Sequence, residues 1–259
     1  NKIVFITGAS SGIGKASAEQ FAALGAKLIL TARRIERVEV LAQKLKEQYQ
    51  VETLCIKLDV RDRKQVESAI TNLPESWKAI DILLNNAGLA LATDKIQEGD
   101  PDNWDTMIDT NVKALLYVTR AIVPGMIARN SGQIINIGST AGRDYYAGGN
   151  VYCATKHAVK AITASLRIDL MGTPIRVNEV APGFVHTEFS EVRWQDKTRA
   201  EDFYASFTPL NPEDVAHAIV FCCIQPPHVN IPEIVITPID QASTHYLNRN
   251  HAEPGKGPF

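Results

Sequence analysis

Apolar residues in this chain fall into short unbroken blocks and longer periodic stripes, and the two kinds alternate. Residues 2–6, Lys-Ile-Val-Phe-Ile, run directly into Thr7-Gly8. A short apolar block bounded by turn residues predicts a strand covered on both faces, as inside a parallel sheet. Similar blocks predict strands at 26–32, 51–58, 80–84, 134–138, 175–180 and 234–236. Helical periodicity predicts helices at 15–24, 36–48, 61–73, 101–129 and 212–224, and another from Asn150 onward. In that last stretch Val159, Ala161, Ile162, Ala164, Leu166 and Leu170 mark a mostly buried helix. Strand and helix in strict alternation predict an α/β fold: one doubly wound parallel sheet of about seven strands with helices on both faces, a Rossmann fold. No internal repeat, linker or low-complexity tract divides the chain, so residues 1–259 are expected to form one domain. The polar segment 184–208 lacks strand character, and 184–207 is a candidate substrate lid. The C-terminal tail, 240–259, ends in a Pro- and Gly-rich stretch from His251 to Phe259 that is expected to be loose.

Composition narrows the partners. With 45% hydrophobic and 22% charged residues and a net charge of −2, the chain gives no reason to expect nucleic acid or an acidic membrane surface. No apolar run approaches the length of a membrane span. The cysteines, at 55, 153, 222 and 223, form no C-x-x-C, so reduced thiols in a cytoplasmic protein are expected. The histidines form no metal-ligand cluster, and no metal site is expected. The chain opens at Asn1, without a methionine and almost directly on a strand, so residues can precede it.

Two stretches carry chemistry. The first is Gly8-Ala9-Ser10-Ser11-Gly12-Ile13-Gly14, set between a predicted strand and a predicted helix. Such glycines let backbone approach a pyrophosphate, and the helix N-terminus offers free N–H groups and positive potential. The next strand ends at Ala32 and is followed by Arg33-Arg34. An acidic residue there would bond a ribose 2′-hydroxyl; a guanidinium pair instead suits a 2′-phosphate, pointing to NADP over NAD. The second stretch is Tyr152-x-x-x-Lys156. On a helix, i and i+4 share one face. A nearby ammonium favours phenolate, so the pair is expected to lower the Tyr152 pKa and to suit it for general acid–base work.

Taken together, Thr7-Gly8-x-x-x-Gly12-Ile13-Gly14, Asp59-Val60, Asn85-Asn86-Ala87-Gly88, Asn111, Ser139, Tyr152-x-x-x-Lys156 and Pro182-Gly183 with Thr187 make the chain resemble the short-chain dehydrogenase/reductases over essentially its whole length. Residues 138–143, 187–193 and 241–243 look like the NADP-dependent 3-hydroxy acid dehydrogenase subgroup, which oxidises serine, allo-threonine and related acids. The resemblance implies that Tyr152 is the acid–base group and that Lys156 depresses its pKa and bonds the nicotinamide ribose. It implies that Ser139 donates to the substrate oxygen and that Asn111 holds a water linking Lys156 to solvent. Asp59 and Val60 should meet the adenine. Asn86, Ala87 and Gly88 should line the middle of the cofactor, and Pro182, Gly183, Val185 and Thr187 its carboxamide end. A homotetramer pairing the helices at 101–129 and 150–172 is implied as well.

A 3-hydroxy acid carries a carboxylate, which needs a cationic partner in a partly dry pocket. Arg143, just past Ser139, and Arg193, in the candidate lid, are the arginines placed to reach one. Two alternatives stand beside this reading: a broad carbonyl or ketone reductase, and a non-catalytic NADP-sensing protein. Retention of both Tyr152 and Lys156 weighs against the second.

Overall fold

A computed structural model describes residues 2–249. It contains one seven-stranded sheet ordered β3-β2-β1-β4-β5-β6-β7, and each neighbouring pair is parallel. The strands are β1 (Ile3–Thr7), β2 (Lys27–Ala32), β3 (Thr53–Lys57), β4 (Ile82–Asn85), β5 (Gln133–Ile137), β6 (Arg176–Pro182) and β7 (Glu233–Ile236). The helices are α1 (Gly12–Ala23), α2 (Ile35–Tyr49), α3 (Arg63–Thr71), α4 (Pro101–Ile108), α5 (Ala114–Ala128), α6 (Asn150–Asp169), α7 (Phe189–Trp194), α8 (Lys197–Ala205) and α9 (Pro212–Cys223). The predicted strands and doubly wound order are all present. His251 to Phe259, expected to be loose, lies outside the described residues.

The unbroken apolar blocks serve two cores at once, because successive side chains on a strand point to opposite faces. Val4, Ile6, Leu28, Leu30, Leu84 and Ile135 join residues of α1, α2 and α9 on one face. Ile3, Phe5, Ile29, Leu83 and Ile134 join residues of α3 and α5 on the other. Full burial of such a side chain contributes about 1.5–3 kcal/mol each.

Two expectations are corrected. The helix predicted at 101–129 is split: α4 gives way to a π-helical turn, Asp109–Lys113, before α5 begins. Asn111 sits in that turn. Its Nδ2 donates to the Leu89 carbonyl (2.8 Å) and to Thr155 Oγ1 (3.1 Å), and its Oδ1 accepts from the Leu89 N–H (2.9 Å). A short amide side chain that bonds outside its own helix favours an interruption, and single π turns occur often at functional sites. The segment 184–207, expected to be without structure, holds α7 and α8, the latter started by the Asp196 carboxylate accepting from the Arg199 N–H.

One row across the sheet is polar. Asn85, Asn136, Glu179 and Glu233 stand in register on β4, β5, β6 and β7. Asn85 Nδ2 donates to Asn136 Oδ1 (2.9 Å) and to Thr119 Oγ1 on α5 (3.0 Å), while Asn136 Nδ2 donates to Thr163 Oγ1 on α6 (2.9 Å). The two amides therefore fix both helices against the strand ends. Asn136→Leu, close in volume, strips partners from Asn85 and Thr163. It is expected to lower the urea midpoint, through a loss in unfolding free energy of about 1–3 kcal/mol for each polar group left unpaired. An unchanged midpoint contradicts this role.

Candidate active site

Open parallel sheets bind ligands beyond their carboxyl ends, where the strand order reverses. In this sheet the reversal falls between β1 and β4, and a cavity of about 540 Å³ opens there. Gly8 and Gly12 bend the β1–α1 loop with φ of +68° and +51°. A side chain at Gly14 would strike the Gly8 carbonyl and sit 2.5 Å from Asn86 Nδ2, so α1 packs closely on the strand end. Asn86 Nδ2 donates to the carbonyls of Thr7 (2.9 Å) and Gly8 (3.1 Å), tying this loop to the one after β4. Ser11, the N-cap of α1, makes no side-chain cap bond, and the first turn holds no acidic residue. The helix therefore presents unpaired N–H groups and positive potential at the cavity wall, which fits a pyrophosphate.

The far end of the cavity is cationic. Arg33, Arg34 and Arg61 line it. Arg34 Nη1 pairs with Glu188 Oε2 (2.9 Å), and its Nη2 donates to the hydroxyls of Ser11 (3.1 Å) and Ser10 (3.4 Å). Burial works against the Glu188 carboxylate, but hydrogen bonds from Arg34 and Arg37 prevail and hold its pKa below the ordinary range. Asp59 is gripped by Arg61, with Nη2 2.6 Å from Oδ2, and that hydrogen bond holds its carboxyl low against partial burial. Arg61 and Glu188 were missed by sequence reasoning, since lone charges in loops carry no periodic signal.

Ser139 lies just past β5, and its Oγ accepts from the Ala141 N–H (3.1 Å). Ser139 also acts on the neighbouring Tyr152 phenol, favouring its ionised form. Tyr152 and Lys156 lie in α6, both buried, with the Lys156 Nζ 6.0 Å from the phenol ring centre. Lys156 donates to the Ile137 carbonyl (2.9 Å). A side chain on Gly88 would meet Asn111 Oδ1 at 3.2 Å and Lys156 Nζ at 3.7 Å, so the amide and the ammonium converge beside that glycine. The pKa expectation needs correction. Burial pushes the Tyr152 phenol up, opposed by Ser139 and by the Arg193 charge. Burial also pushes the Lys156 ammonium down, to about 8, opposed by Glu179. Desolvation dominates both groups, and neither one is among the causes that shift the other.

Of the two arginines weighed for a carboxylate, only Arg193 lines the cavity. Its guanidinium stands 5.6 Å from the Tyr152 ring centre and 5.2 Å from that of Tyr146, and its Nη2 donates to the Tyr146 hydroxyl (2.9 Å). Arg143 turns the other way, into Glu179 and Glu233. The α7–α8 segment contributes Phe189, Trp194, Phe203 and Tyr204 to the wall, an aromatic lining that the polar reading of this segment overlooked. Of the remaining predicted residues, Ser10, Ser11, Ile13, Val60, Ala87, Pro182, Gly183, Val185 and Thr187 all line the cavity. Gly14 and Asn111 act from behind it.

A dinucleotide cradle opening onto a buried Ser–Tyr–Lys group defines a nucleotide-dependent oxidoreductase. A family model for the short chain dehydrogenases matches residues 2–198. The chain is 45% identical to an NADP-dependent 3-hydroxy acid dehydrogenase of Schizosaccharomyces pombe, over 97% of this chain and 98% of the relative. It is 47% identical to sulfoacetaldehyde reductase 2 of Chromohalobacter salexigens, over 93% and 95%. The closed form of a serine dehydrogenase complexed with NADP+ superposes with a TM-score of 0.88 at 46% identity, covering 93% of this chain and 96% of that one. The chain belongs to the short-chain dehydrogenase family.

NADP fits this cavity on the chain's own residues: glycines where side chains would collide, an uncapped helix start, and arginines at the far end. Replacing Arg33 and Arg34 together by Ala is expected to weaken NADP binding at least tenfold while leaving NAD within about twofold, since charge-assisted bonds to a phosphate contribute about 1.5–3 kcal/mol. Calorimetry with both nucleotides measures this. Equal loss for the two contradicts a 2′-phosphate contact.

Proposed function

We propose that this chain interconverts short 3-hydroxy acids, such as L-serine, L-allo-threonine or 3-hydroxypropanoate-type compounds, and their 3-oxo counterparts, using NADP. The observation that carries the substrate class is Arg193: one cavity holds its guanidinium, the Tyr152 ring 5.6 Å away and the dinucleotide cradle. A substrate whose carboxylate rests on Arg193 brings its 3-hydroxyl toward Tyr152 and Ser139.

NADP supplies the hydride acceptor and donor at its nicotinamide ring. The chain's own groups do the rest. Ser139 donates to the substrate oxygen and fixes it beside the phenol. Tyr152 takes the proton from that oxygen in oxidation and returns it in reduction. Lys156, anchored to Ile137, supplies the positive charge that favours phenolate and reaches the ribose through its remaining N–H bonds. Asn111 braces the Leu89 loop, and a water beside it links Lys156 to solvent. Asp59 and Val60 meet the adenine, Asn86 to Gly88 line the middle of the cofactor, and Pro182, Gly183, Val185 and Thr187 meet its carboxamide end. The segment 184–207 closes over the substrate and carries Arg193 with it.

We read the chain as one domain that works in the cytoplasm as a homotetramer. The free cysteines support the compartment: Cys55, Cys153, Cys222 and Cys223 are all unbridged. Among the described residues no helix is long and apolar enough to cross a membrane. Exposed Leu116 and Ile127 on α5, and Phe221 and Ile224 at α9, support an assembly that covers them. A monomer by light scattering contradicts it.

An anion-selective site and a general carbonyl reductase differ in one respect. Arg193→Ala is expected to raise KM for L-serine tenfold or more, in line with about 1.5–3 kcal/mol for a charge-assisted bond, while barely moving KM for an uncharged secondary alcohol. A sulfonate offers the same charge, and sulfoacetaldehyde reduction is the named activity of the C. salexigens relative, so 2-hydroxyethanesulfonate belongs in the panel. Equal effects on charged and uncharged substrates contradict the acid-specific reading.

A further inference from the structure

Arg143 and Glu179 have no part in the chemistry above, yet they form a buried ion pair directly behind it. Glu179 is 2% exposed, and the Arg143 side chain 16%. Arg143 Nη1 donates to Glu179 Oε1 (3.1 Å) and to the main-chain carbonyl of Ser139 (3.0 Å). Its Nε donates to Glu233 Oε1 (3.0 Å), whose side chain lies at the more open rim of the network. The Glu179 carboxylate is packed flat on Gly138, where any side chain would overlap its Oε1. Gly138 separates Ser139 from Ile137, and the Ile137 carbonyl receives the Lys156 ammonium. One ion pair thus touches the backbone that carries Ser139 and the backbone that anchors Lys156.

Buried ion pairs are poor stabilisers, because the loss of hydration offsets most of the attraction. Apolar side chains of like volume would serve the fold as well. What apolar side chains cannot supply is a guanidinium fork that bonds the Ser139 carbonyl, Glu179 and Glu233 at once, and a negative charge behind the Lys156 anchor. We propose that Arg143 and Glu179 are positioning residues: Arg143 fixes the Ser139 main chain, and so the aim of its hydroxyl, while Glu179, packed on Gly138, sets a negative charge behind the Ile137 carbonyl that anchors Lys156.

The surroundings of Lys156 support this assignment. Its own helix contributes Tyr152, β5 the Ile137 carbonyl, the π turn the Asn111 amide, and β6 Glu179, behind which stands Arg143. Arg193 acts from α7 on Tyr152. Burial lowers the lysine to about 8, and Glu179 is the group that opposes it. Removing that negative charge therefore lowers the lysine further, and the ammonium is lost at a lower pH as pH rises.

The inference rests on Ser139 and Lys156 having the roles proposed above, so the first readout is Lys156 itself in the cofactor-free protein. Lysine Cε NMR, with the signal assigned through Lys156→Arg, follows its titration. Glu179→Gln is expected to shift the midpoint down by about one unit or more. The alkaline limb of the kcat profile should move down with it. Arg143→Lys keeps the charge and loses the fork: kcat is expected to fall about tenfold, with KM for NADP and the Lys156 midpoint unchanged. An unmoved midpoint in Glu179→Gln overturns the charge role, and wild-type kcat in Arg143→Lys overturns the Ser139 role. Should the Gln variant not fold, Glu179→Asp, which withdraws the charge by one methylene, takes its place: a lower Lys156 midpoint is expected, and an unmoved one overturns the charge role. A shifted midpoint in a chain that turns over no hydroxy acid leaves this assignment standing and removes the substrate reading instead.

Discussion

The hydrogen bond from the Lys156 ammonium to the Ile137 carbonyl ties the middle of α6 to the last residue of β5. It settles where the phenol of Tyr152 stands, because the two side chains share one helical face. It also sets the electrostatic difficulty of the site, since a cation and an ionisable phenol are both held out of water. A lysine lowered by burial and a phenol raised by it is a strained arrangement of charge. Ser139 and Arg193 ease it at the phenol and Glu179 at the lysine, while Cys153 and Tyr204 push the phenol further up.

The fold supplies the places for these groups. All strands run in one direction, so their carboxyl ends gather on one side and the loops bearing Gly8, Arg33, Asn86, Ser139 and Gly183 meet there. Tight contact of α1 with the Gly8 backbone leaves room for a dinucleotide where a side chain would otherwise stand. The polar row Asn85–Asn136–Glu179–Glu233 crosses the same end of the sheet and holds α5, α6 and the Ser139 turn in place. Affinity for the nucleotide and aim of the reacting groups thus come from neighbouring layers of one scaffold.

Much of this was legible in the residues. Doubly covered strands announce themselves as unbroken apolar runs, and the glycine loop as a strand-to-helix turn that only small residues could fill. The i, i+4 spacing put Tyr152 and Lys156 together on α6, and Arg33 and Arg34, just past β2, do line the cavity. Other features were not legible. The π turn at Asn111 depends on a partner loop, Leu89, far along the chain. The short helices of 189–205 gain their burial from aromatic contacts among Phe184, Phe203, Tyr204 and Phe207, not from a long amphipathic stripe. Arg143 and Arg193 looked alike as candidates; which one faces the cavity is decided by Glu179 and Glu233, residues of strands whose register no local pattern reveals. The rise in the phenol's pKa escaped notice because spacing reports neighbours and not the loss of water.

The most direct measurement follows an isotope from substrate to cofactor. L-serine or L-allo-threonine deuterated at C3 is incubated with NADP and either the unmodified chain or Tyr152→Phe. NMR of the recovered nucleotide should show deuterium at C4 of the nicotinamide with the unmodified chain. With the phenylalanine variant it should show almost none, although calorimetry finds NADP still bound. Label transfer at similar rates by both, or by neither, contradicts a hydroxy acid dehydrogenase built around the Tyr152 phenol.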